Sequence, residues 1–206
     1  MKNVFLGEYI KQRRLDLGLT QEQLCDGICE PMTLSRLENG KQTPSRNRIN
    51  ALLQRLGLPD DRYFALLSKN ELEMEALQKE IVACNANHRV EEGFETLKKF
   101  EQIADHDDQI AQQFILRSKV LLGRLDQRYT PQEQIDLLMQ AIRLTVPRFN
   151  LDEIERFFYS TDEIKIINQI GIAYSDDGQN KKAADIYYQL LKYVRKHFEE
   201  TITSVG

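Results

Sequence analysis

The residues best suited to molecular recognition lie between Thr20 and Lys41, in the segment TQEQLCDGICEPMTLSRLENGK. On one short helix of this segment, Leu34 and Leu37 share an apolar face at a three-residue step. Its other faces carry the side chains that can contact base edges in a DNA groove: Met32, Thr33, Ser35 and Arg36. Arg36 can donate two parallel hydrogen bonds to a guanine, the commonest specific contact between a side chain and DNA. The pattern favours recognition of DNA over catalysis.

Two helices joined by a tight corner must position these side chains. Thr20 can cap the first helix while Gln23 reaches back to the Thr20 amide, so this helix begins at the next residue. Gly27 supplies the permissive backbone that the corner requires. A proline at the first helical position needs no amide donor, so the second helix is predicted to run from Pro31 to Glu38.

From IKQRR in the preceding helix to ENGK after the second helix of the pair, the segment resembles the helix-turn-helix of the lambda-repressor and xenobiotic-response-element superfamily. The resemblance implies a set of DNA contacts: Gln21 to phosphate, Pro31, Met32 and Arg36 to bases, and Asn39 and Lys41 to the DNA backbone. It also implies that Arg14 and Glu38 form a buried structural pair. Many family members carry a polar residue where this chain has Pro31 and Met32, so we expect base reading to depend on Arg36.

Charge is divided unevenly along the chain, although the whole carries a net charge of -4. Residues 1–69 hold eleven Lys or Arg against eight Asp or Glu, whereas the remainder holds seventeen against twenty-four. Basic side chains surround the recognition segment: Lys11, Arg13, Arg36, Lys41, Arg46 and Arg48. We expect Lys41 and Arg46 to add sequence-independent attraction to phosphate. A net charge of +3 is also within ordinary variation, and Arg36 could instead form a surface salt bridge to Glu30 or Glu38.

The chain shows no arrangement of residues typical of an enzyme, a cofactor site or a metal site. It lacks a glycine-rich phosphate loop and a nucleophile paired with a base. Cys25, Cys29 and Cys84 are an odd number, and we expect them to remain reduced. His88 follows Cys84 by four residues, but structural zinc sites usually need four ligands with closer spacing. The acidic cluster Asp105–Asp108 more often caps a helix than binds a metal.

The 206 residues are long enough for two modest domains of ordinary soluble composition. No apolar run approaches the roughly 18 residues of a membrane span. The first residues, MKNVFLGEY, lack the apolar stretch of an export signal. We therefore expect a cytoplasmic protein that makes no contact with a membrane.

The pattern of helices changes near Lys69, so we predict a DNA-binding domain in residues 1–69 and a helical-repeat domain in residues 70–206. Five short helices ending near Ser68 are expected in the first domain. The second shows no alternation typical of strands, and the predicted fold is all-α. Its helices are expected near 70–86, 90–104, 108–124, 131–146, 151–157, 161–175 and 180–198. Thr130 and Ser160 begin capping boxes.

The last two helices have the spacing of a tetratricopeptide repeat, carried by Ile167, Ile170, Gly171, Tyr174, Gly178, Ala183, Tyr187 and Leu190. The small residues at Gly171 and Ala183 let paired helices approach closely. The earlier helices fit the same hairpin rhythm with poorer agreement, so we predict an α-solenoid of tetratricopeptide-like hairpins. The alternative is an ordinary helical bundle without repeat curvature.

A lambda-repressor-type domain followed by such a stack resembles the Rgg/PlcR-type regulators of Gram-positive bacteria, which respond to peptide pheromones in quorum sensing. The resemblance implies a homodimer that binds double-stranded DNA at a near-palindromic operator. It also implies a short peptide on the concave face, which the final repeat lines with Lys165, Asn168, Ile172 and Ser175. An asparagine there can clamp an extended peptide backbone, although these positions could also be merely solvated. Family members usually continue with further repeats, so either the chain is truncated or part of the ligand groove is missing.

Two other functions remain open on the sequence alone. A ligand-independent repressor or antitoxin would bind its operator identically with or without peptide. A tetratricopeptide scaffold would bind a protein partner and no DNA, and it would have lost the side chains that read bases.

Overall fold

The structure, a computed structural model, describes residues 6–42, 44–58 and 69–199, and every regular element in these ranges is helical. The α-helices are α1 (Leu6–Asp16), α2 (Gln21–Cys25), α3 (Pro31–Glu38), α4 (Arg46–Arg55), α5 (Lys69–Ala86), α6 (Val90–Ile103), α7 (Gln109–Leu125), α8 (Pro131–Thr145), α9 (Thr161–Asp176) and α10 (Asn180–Val194). The all-α prediction is confirmed. The fifth helix expected before Ser68 lies outside the described residues, and the domain boundary at residue 69 stays a prediction.

The first four helices enclose one apolar core, formed by Ile10, Leu24, Leu34, Leu37, Ile49, Leu52, Leu53 and Leu56. The predicted capping box starts α2, because the Gln23 amide donates to Thr20 Oγ1 at 3.1 Å and the Thr20 amide donates to Gln23 Oε1 at 2.7 Å. Gly27 has a positive φ of 72° at the corner between α2 and α3, a conformation that favours glycine. The helix pair therefore has the local structure that its sequence predicts.

The remaining helices form three antiparallel hairpins, α5 with α6, α7 with α8 and α9 with α10. Each hairpin reverses at a residue with positive φ: His88, Gln127 and Gly178. The next residue donates its amide to a carbonyl five residues earlier, in the bonds Arg89 to Cys84, Arg128 to Gly123 and Gln179 to Tyr174. This closure satisfies the carbonyl groups that a helix end leaves without partners. The three hairpins therefore share one type of turn.

The third hairpin packs as its repeat-like spacing predicts. A Cβ added to Gly171 would lie 2.6 Å from the ring of Tyr187, so a larger residue on α9 would force this ring of α10 to shift. Ala183 and Leu190 are buried in the same core. The predicted capping boxes at Thr130 and Ser160 are both present.

The segment predicted as a helix over 151–157 is instead a 3-10 turn, Leu151–Arg156. Glu153 departs from helical geometry at φ -135°. Gln189 from α10 explains the difference, because its side-chain amide donates to the Leu151 carbonyl at 2.9 Å and accepts from the Ile154 amide at 3.0 Å. A side chain thus replaces the internal hydrogen bonds that a regular helix would need.

Candidate nucleic-acid interface

The recognition helix α3 is fixed to the rest of its domain at its carboxyl end. Glu38 accepts two hydrogen bonds from Arg14, at 2.6 Å from Nε and 2.9 Å from Nη2. Gln21 donates a third at 2.7 Å, and Arg14 also donates to the Leu19 carbonyl at 2.8 Å. The hydrogen bond to Glu38 raises the pKa of Arg14 above its usual value. The structure thus contains the predicted pair, which ties α3 to both α1 and α2.

The opposite face of α3 is free to meet a ligand. Met32 is 63% exposed, and Arg36 is also exposed. Pro31, Thr33 and Ser35 are half-buried beside them. Among the described residues, Arg36 pairs with no carboxylate, since Glu38 is buried with Arg14. The structure therefore leaves the Arg36 guanidinium available for a base, as its predicted role requires.

The other side chains predicted to contact DNA differ in whether they already bind a partner within the protein. Lys41 is exposed, and the Asn39 amide nitrogen donates to the Ser35 carbonyl at 2.7 Å, which caps α3. Gln21 uses one amide hydrogen on Glu38, so a phosphate contact would use the other. Arg46 lies 3.4 Å from Glu75 of α5. Its charge is therefore shared with an acidic side chain of α5.

Arg55, at the end of α4, connects the first four helices to the hairpins, a contact that the sequence analysis did not identify. Its side chain is 3% exposed, and its Nη2 lies 2.8 Å from Oε1 of Glu163, which is 2% exposed. The same nitrogen donates to the Thr145 carbonyl at 2.6 Å. Nη1 donates to the carbonyls of Leu24 at 3.0 Å and Asp26 at 2.6 Å. One guanidinium thus joins the helix-turn-helix corner to the end of α8 and the start of α9.

Gly27 extends this contact through its backbone. A Cβ added at Gly27 would overlap the carbonyl group of Thr145, so the corner rests directly on the end of α8. With its amide oriented to satisfy its neighbours, Gln109 donates to the carbonyls of Leu144 at 2.8 Å and Gly27 at 2.5 Å. At the edge, Arg148 lies 3.4 Å from Asp26. The turn that precedes α3 is therefore also a surface on which the first four helices meet the hairpins.

The cysteines Cys25 and Cys29 flank the same turn and are both free thiols. Cys25 is buried, and its hydrogen bond to Cys29 together with desolvation raises the pKa of the Cys25 thiol. That hydrogen bond and the positive charges of Arg48 and Arg55 lower the pKa of Cys29. We therefore expect Cys29 to be the more reactive thiol of the pair.

The residues predicted to bind a peptide lie along α9 and are not part of a closed site. Lys165, Asn168 and Ser175 are exposed, and Ile172 is half-buried. Lys165 donates to Asp162 at 3.1 Å, and Ser175 donates to Asn180 at 3.5 Å. Their role in ligand binding stays a prediction.

One group of potential metal ligands occurs among the described residues, formed by Glu80, Cys84 and Glu92 within 4.8 Å of one another. Arg89 donates to both carboxylates, at 2.9 Å to Glu80 and 2.7 Å to Glu92. The guanidinium of Arg89 thus already pairs with both carboxylates of this group. None of the described helices has the length and apolar character needed to span a lipid bilayer.

Comparison with known proteins bears on the amino-terminal part of the chain. Residues 6–63 match the family described as helix-turn-helix domain. This part of the chain is a helix-turn-helix domain. The domain class accounts for the anchored α3 with its exposed outer face, because DNA-binding domains of this kind insert such a helix into the major groove.

A solved structure is similar over most of the chain. It is the crystal structure of Bacillus thuringiensis PlcR in complex with the peptide PapR7 and DNA, with 22% sequence identity and a TM-score of 0.49. The similarity covers 93% of this chain and 65% of the PlcR chain, so this chain spans about two-thirds of that protein's length. A search of curated proteins found no match.

Proposed function

We propose that the protein is a sequence-specific DNA-binding transcriptional regulator that acts as a homodimer. The exposed outer face of α3, with Arg36 free of carboxylate partners among the described residues, is the observation that carries this proposal. A flexible recognition helix would lose entropy on binding, whereas α3 is held by Arg14, Gln21 and its apolar face. The helix is therefore prepared to enter a major groove without rearrangement.

Two copies of α3 would read two half-sites, separated by about 34 Å or a multiple of that distance along the duplex. The operator is therefore near-palindromic. Within each half-site Arg36 contacts a guanine, and Met32, Thr33 and Ser35 contact neighbouring bases. Lys41 and Arg46 attract phosphate groups, which strengthens binding to every sequence.

The helical-repeat domain would hold the dimer and sense a short peptide. Support comes from the contact made by Arg55, which joins the helix-turn-helix to the junction between the second and third hairpins. A ligand that changes the angle between these hairpins would move Thr145 relative to Glu163. Because Arg55 binds both residues, the orientation of α3 would change with them.

Selection of genomic fragments by the purified full-length protein tests DNA binding. We expect enrichment of near-palindromic sites, and the complex should contain two protein chains per site. Arg36→Ala should remove discrimination at one position of each half-site, by about 1–3 kcal/mol. Arg156→Ala is the matched control, because Arg156 is an exposed arginine of the helical-repeat domain whose carboxylate partner is Glu153.

The outcomes separate the alternatives. Enrichment of no site over random duplex would refute the regulator and favour a scaffold that binds proteins. Site-specific binding that is unchanged by every peptide of five to ten residues would favour a ligand-independent repressor or antitoxin. Binding whose sequence preference survives Arg36→Ala would remove Arg36 from base reading.

A further inference from the structure

A cavity of about 210 Å³ lies between the helix-turn-helix domain and the helical-repeat domain, and it is separate from the α9 positions predicted to bind peptide. Helix α4 forms one wall through Asn50, and the helical-repeat domain forms the others through α5, α7 and α9. Pockets for drug-sized ligands usually measure about 300–1,000 Å³. The cavity therefore has room for a group the size of one amino-acid residue.

Asn50 provides an acceptor at this cavity. Its Oδ1 atom is buried and has no hydrogen-bond partner within the described ranges 6–42, 44–58 and 69–199. A buried acceptor without a partner costs folding free energy, and most buried polar groups in native structures have a partner. A ligand with an N–H group would supply the donor that Asn50 lacks.

Arg117 of α7 provides a cation at the same cavity. Its side chain is 16% exposed, and it lies 3.4 Å from Asp162. It also donates to Gln169 at 3.3 Å. Both distances exceed the 2.7–2.9 Å that is typical of charge-assisted hydrogen bonds, so neither present partner makes a close contact with the guanidinium. Burial lowers the pKa of Arg117, while the charge of Asp162 acts to raise it.

Two other polar side chains at the cavity, Gln113 and Glu163, are bound to protein. Gln113 donates to the Ala141 carbonyl at 2.9 Å and to Thr145 Oγ1 at 2.6 Å. Glu163 is paired with Arg55. The apolar lining comes from residues such as Ile110, Phe114 and Ile166. Asn50, Arg117 and these apolar residues thus offer a ligand an acceptor, a cation and a hydrophobic contact.

We propose that this interdomain cavity binds an α-carboxylate with a nitrogen donor on the adjacent carbon and an apolar side chain. The carboxylate binds Arg117, the N–H group donates to Asn50, and the side chain lies against Phe114 and Ile166. A free amino acid and the carboxyl-terminal residue of a peptide both have this chemistry. The regulatory consequence rests on the proposed function: because Asn50 belongs to α4, the ligand contacts the DNA-binding domain directly and stabilises its docked position.

Binding can be measured on the full-length protein without DNA, by thermal unfolding and isothermal titration calorimetry. The probes are L-leucine, N-acetyl-L-leucine, the pentapeptide tetraglycyl-leucine and the same pentapeptide with an amidated carboxyl end. We expect at least one probe with a free carboxylate to raise the unfolding midpoint. The amidated peptide should bind at least tenfold more weakly than the free peptide, because it removes the charge that Arg117 recognises.

Two variants and one control locate the site. Asn50→Leu and Arg117→Gln should each weaken binding at least tenfold. Arg89→Gln should bind as the wild type does, because Arg89 contacts Glu80 and Glu92 away from the cavity. Asn50→Leu removes the buried acceptor and should unfold at the same or a higher temperature without ligand, so its loss of binding cannot be attributed to unfolding.

The results also identify the source of the ligand. N-acetyl-L-leucine or L-leucine binding as tightly as the pentapeptide would indicate a free amino acid derivative, and tighter binding of the pentapeptide would indicate a peptide terminus. Absence of binding by all four probes, equal binding of the amidated peptide or unchanged binding by both variants would overturn the proposal. Because DNA is absent, these results are independent of whether the protein recognises an operator.

Discussion

Removal of the Arg55 guanidinium should strongly destabilise the protein. Arg55→Met keeps much of the side-chain volume but leaves Glu163 as a carboxylate that is only 2% exposed. It also removes the donor from the carbonyls of Leu24, Asp26 and Thr145. Breaking a buried ion pair by removal of one partner typically costs about 3–5 kcal/mol.

The lower end of that range is expected here, because Glu163 keeps a hydrogen bond from the Ser160 amide at 2.6 Å. We therefore expect the free energy of unfolding to fall by about 3 kcal/mol. For a chain of this size such a loss lowers the unfolding midpoint by about 6–12 °C. Urea unfolding monitored by circular dichroism measures the first quantity, and calorimetry measures the second.

A second substitution separates the buried charge from a general loss of packing. In Arg55→Met with Glu163→Gln, no uncompensated carboxylate remains, so part of the lost stability should return. Arg148→Gln is the control at the same domain contact, because Arg148 is 75% exposed and its bond to Asp26 is 3.4 Å long. Its loss should cost less than about 1 kcal/mol. An Arg55→Met protein as stable as the Arg148→Gln protein would refute the role assigned to the buried pair.

Three further predictions concern residues 6–58. Both Gly27 and Gly18 have positive φ, but only a Cβ at Gly27 would overlap the end of α8. In urea unfolding, Gly27→Ala should therefore destabilise the protein by about 1–3 kcal/mol more than Gly18→Ala. Equal losses of stability would contradict the close approach of Gly27 to α8. Iodoacetamide should modify Cys29 before the other cysteines. Because the pKa of Cys29 is lowered, its modification rate should reach a plateau at a lower pH than the rate of an unperturbed thiol. Peptide mass spectrometry over a pH series measures these rates. Lys41→Ala should reduce the slope of the logarithm of DNA affinity against the logarithm of salt concentration by about one unit. Arg46→Ala should reduce this slope by less, because Arg46 shares its charge with an acidic side chain of α5. Equal slopes for the two variants would show that this sharing has no effect.

The features predicted from the sequence are those that depend on residues close together in the chain. Thr20 and Gln23 lie three residues apart, so their capping box is visible in the sequence. Pro31 predicts the start of α3, because a proline at the first helical position needs no amide donor. The resemblance to a known family also predicted the distant pair of Arg14 with Glu38. Local signals and family resemblance thus account for the helix-turn-helix.

The contact of Arg55 with the hairpins could not be predicted in this way. Arg55 follows Leu52 and Leu53 on α4, and the helical pattern shows only which face is apolar. Its partners Thr145 and Glu163 are 90 and 108 residues away, and no spacing rule relates them. The 3-10 turn at 151–156 also depends on a distant side chain, that of Gln189. In both cases tertiary contacts decide what local sequence leaves open.

The position of Gly27 limits how far this DNA-binding domain can be exchanged with others. A foreign helix-turn-helix grafted onto the helical repeats would need a residue without a side chain at its corner and a long cationic side chain at the end of its fourth helix. A grafted domain without these two residues would contact the hairpins at a different angle. Specificity in a chimaera is therefore better altered by replacing the outer side chains of α3 alone, such as Met32 and Arg36, while the corner is kept intact.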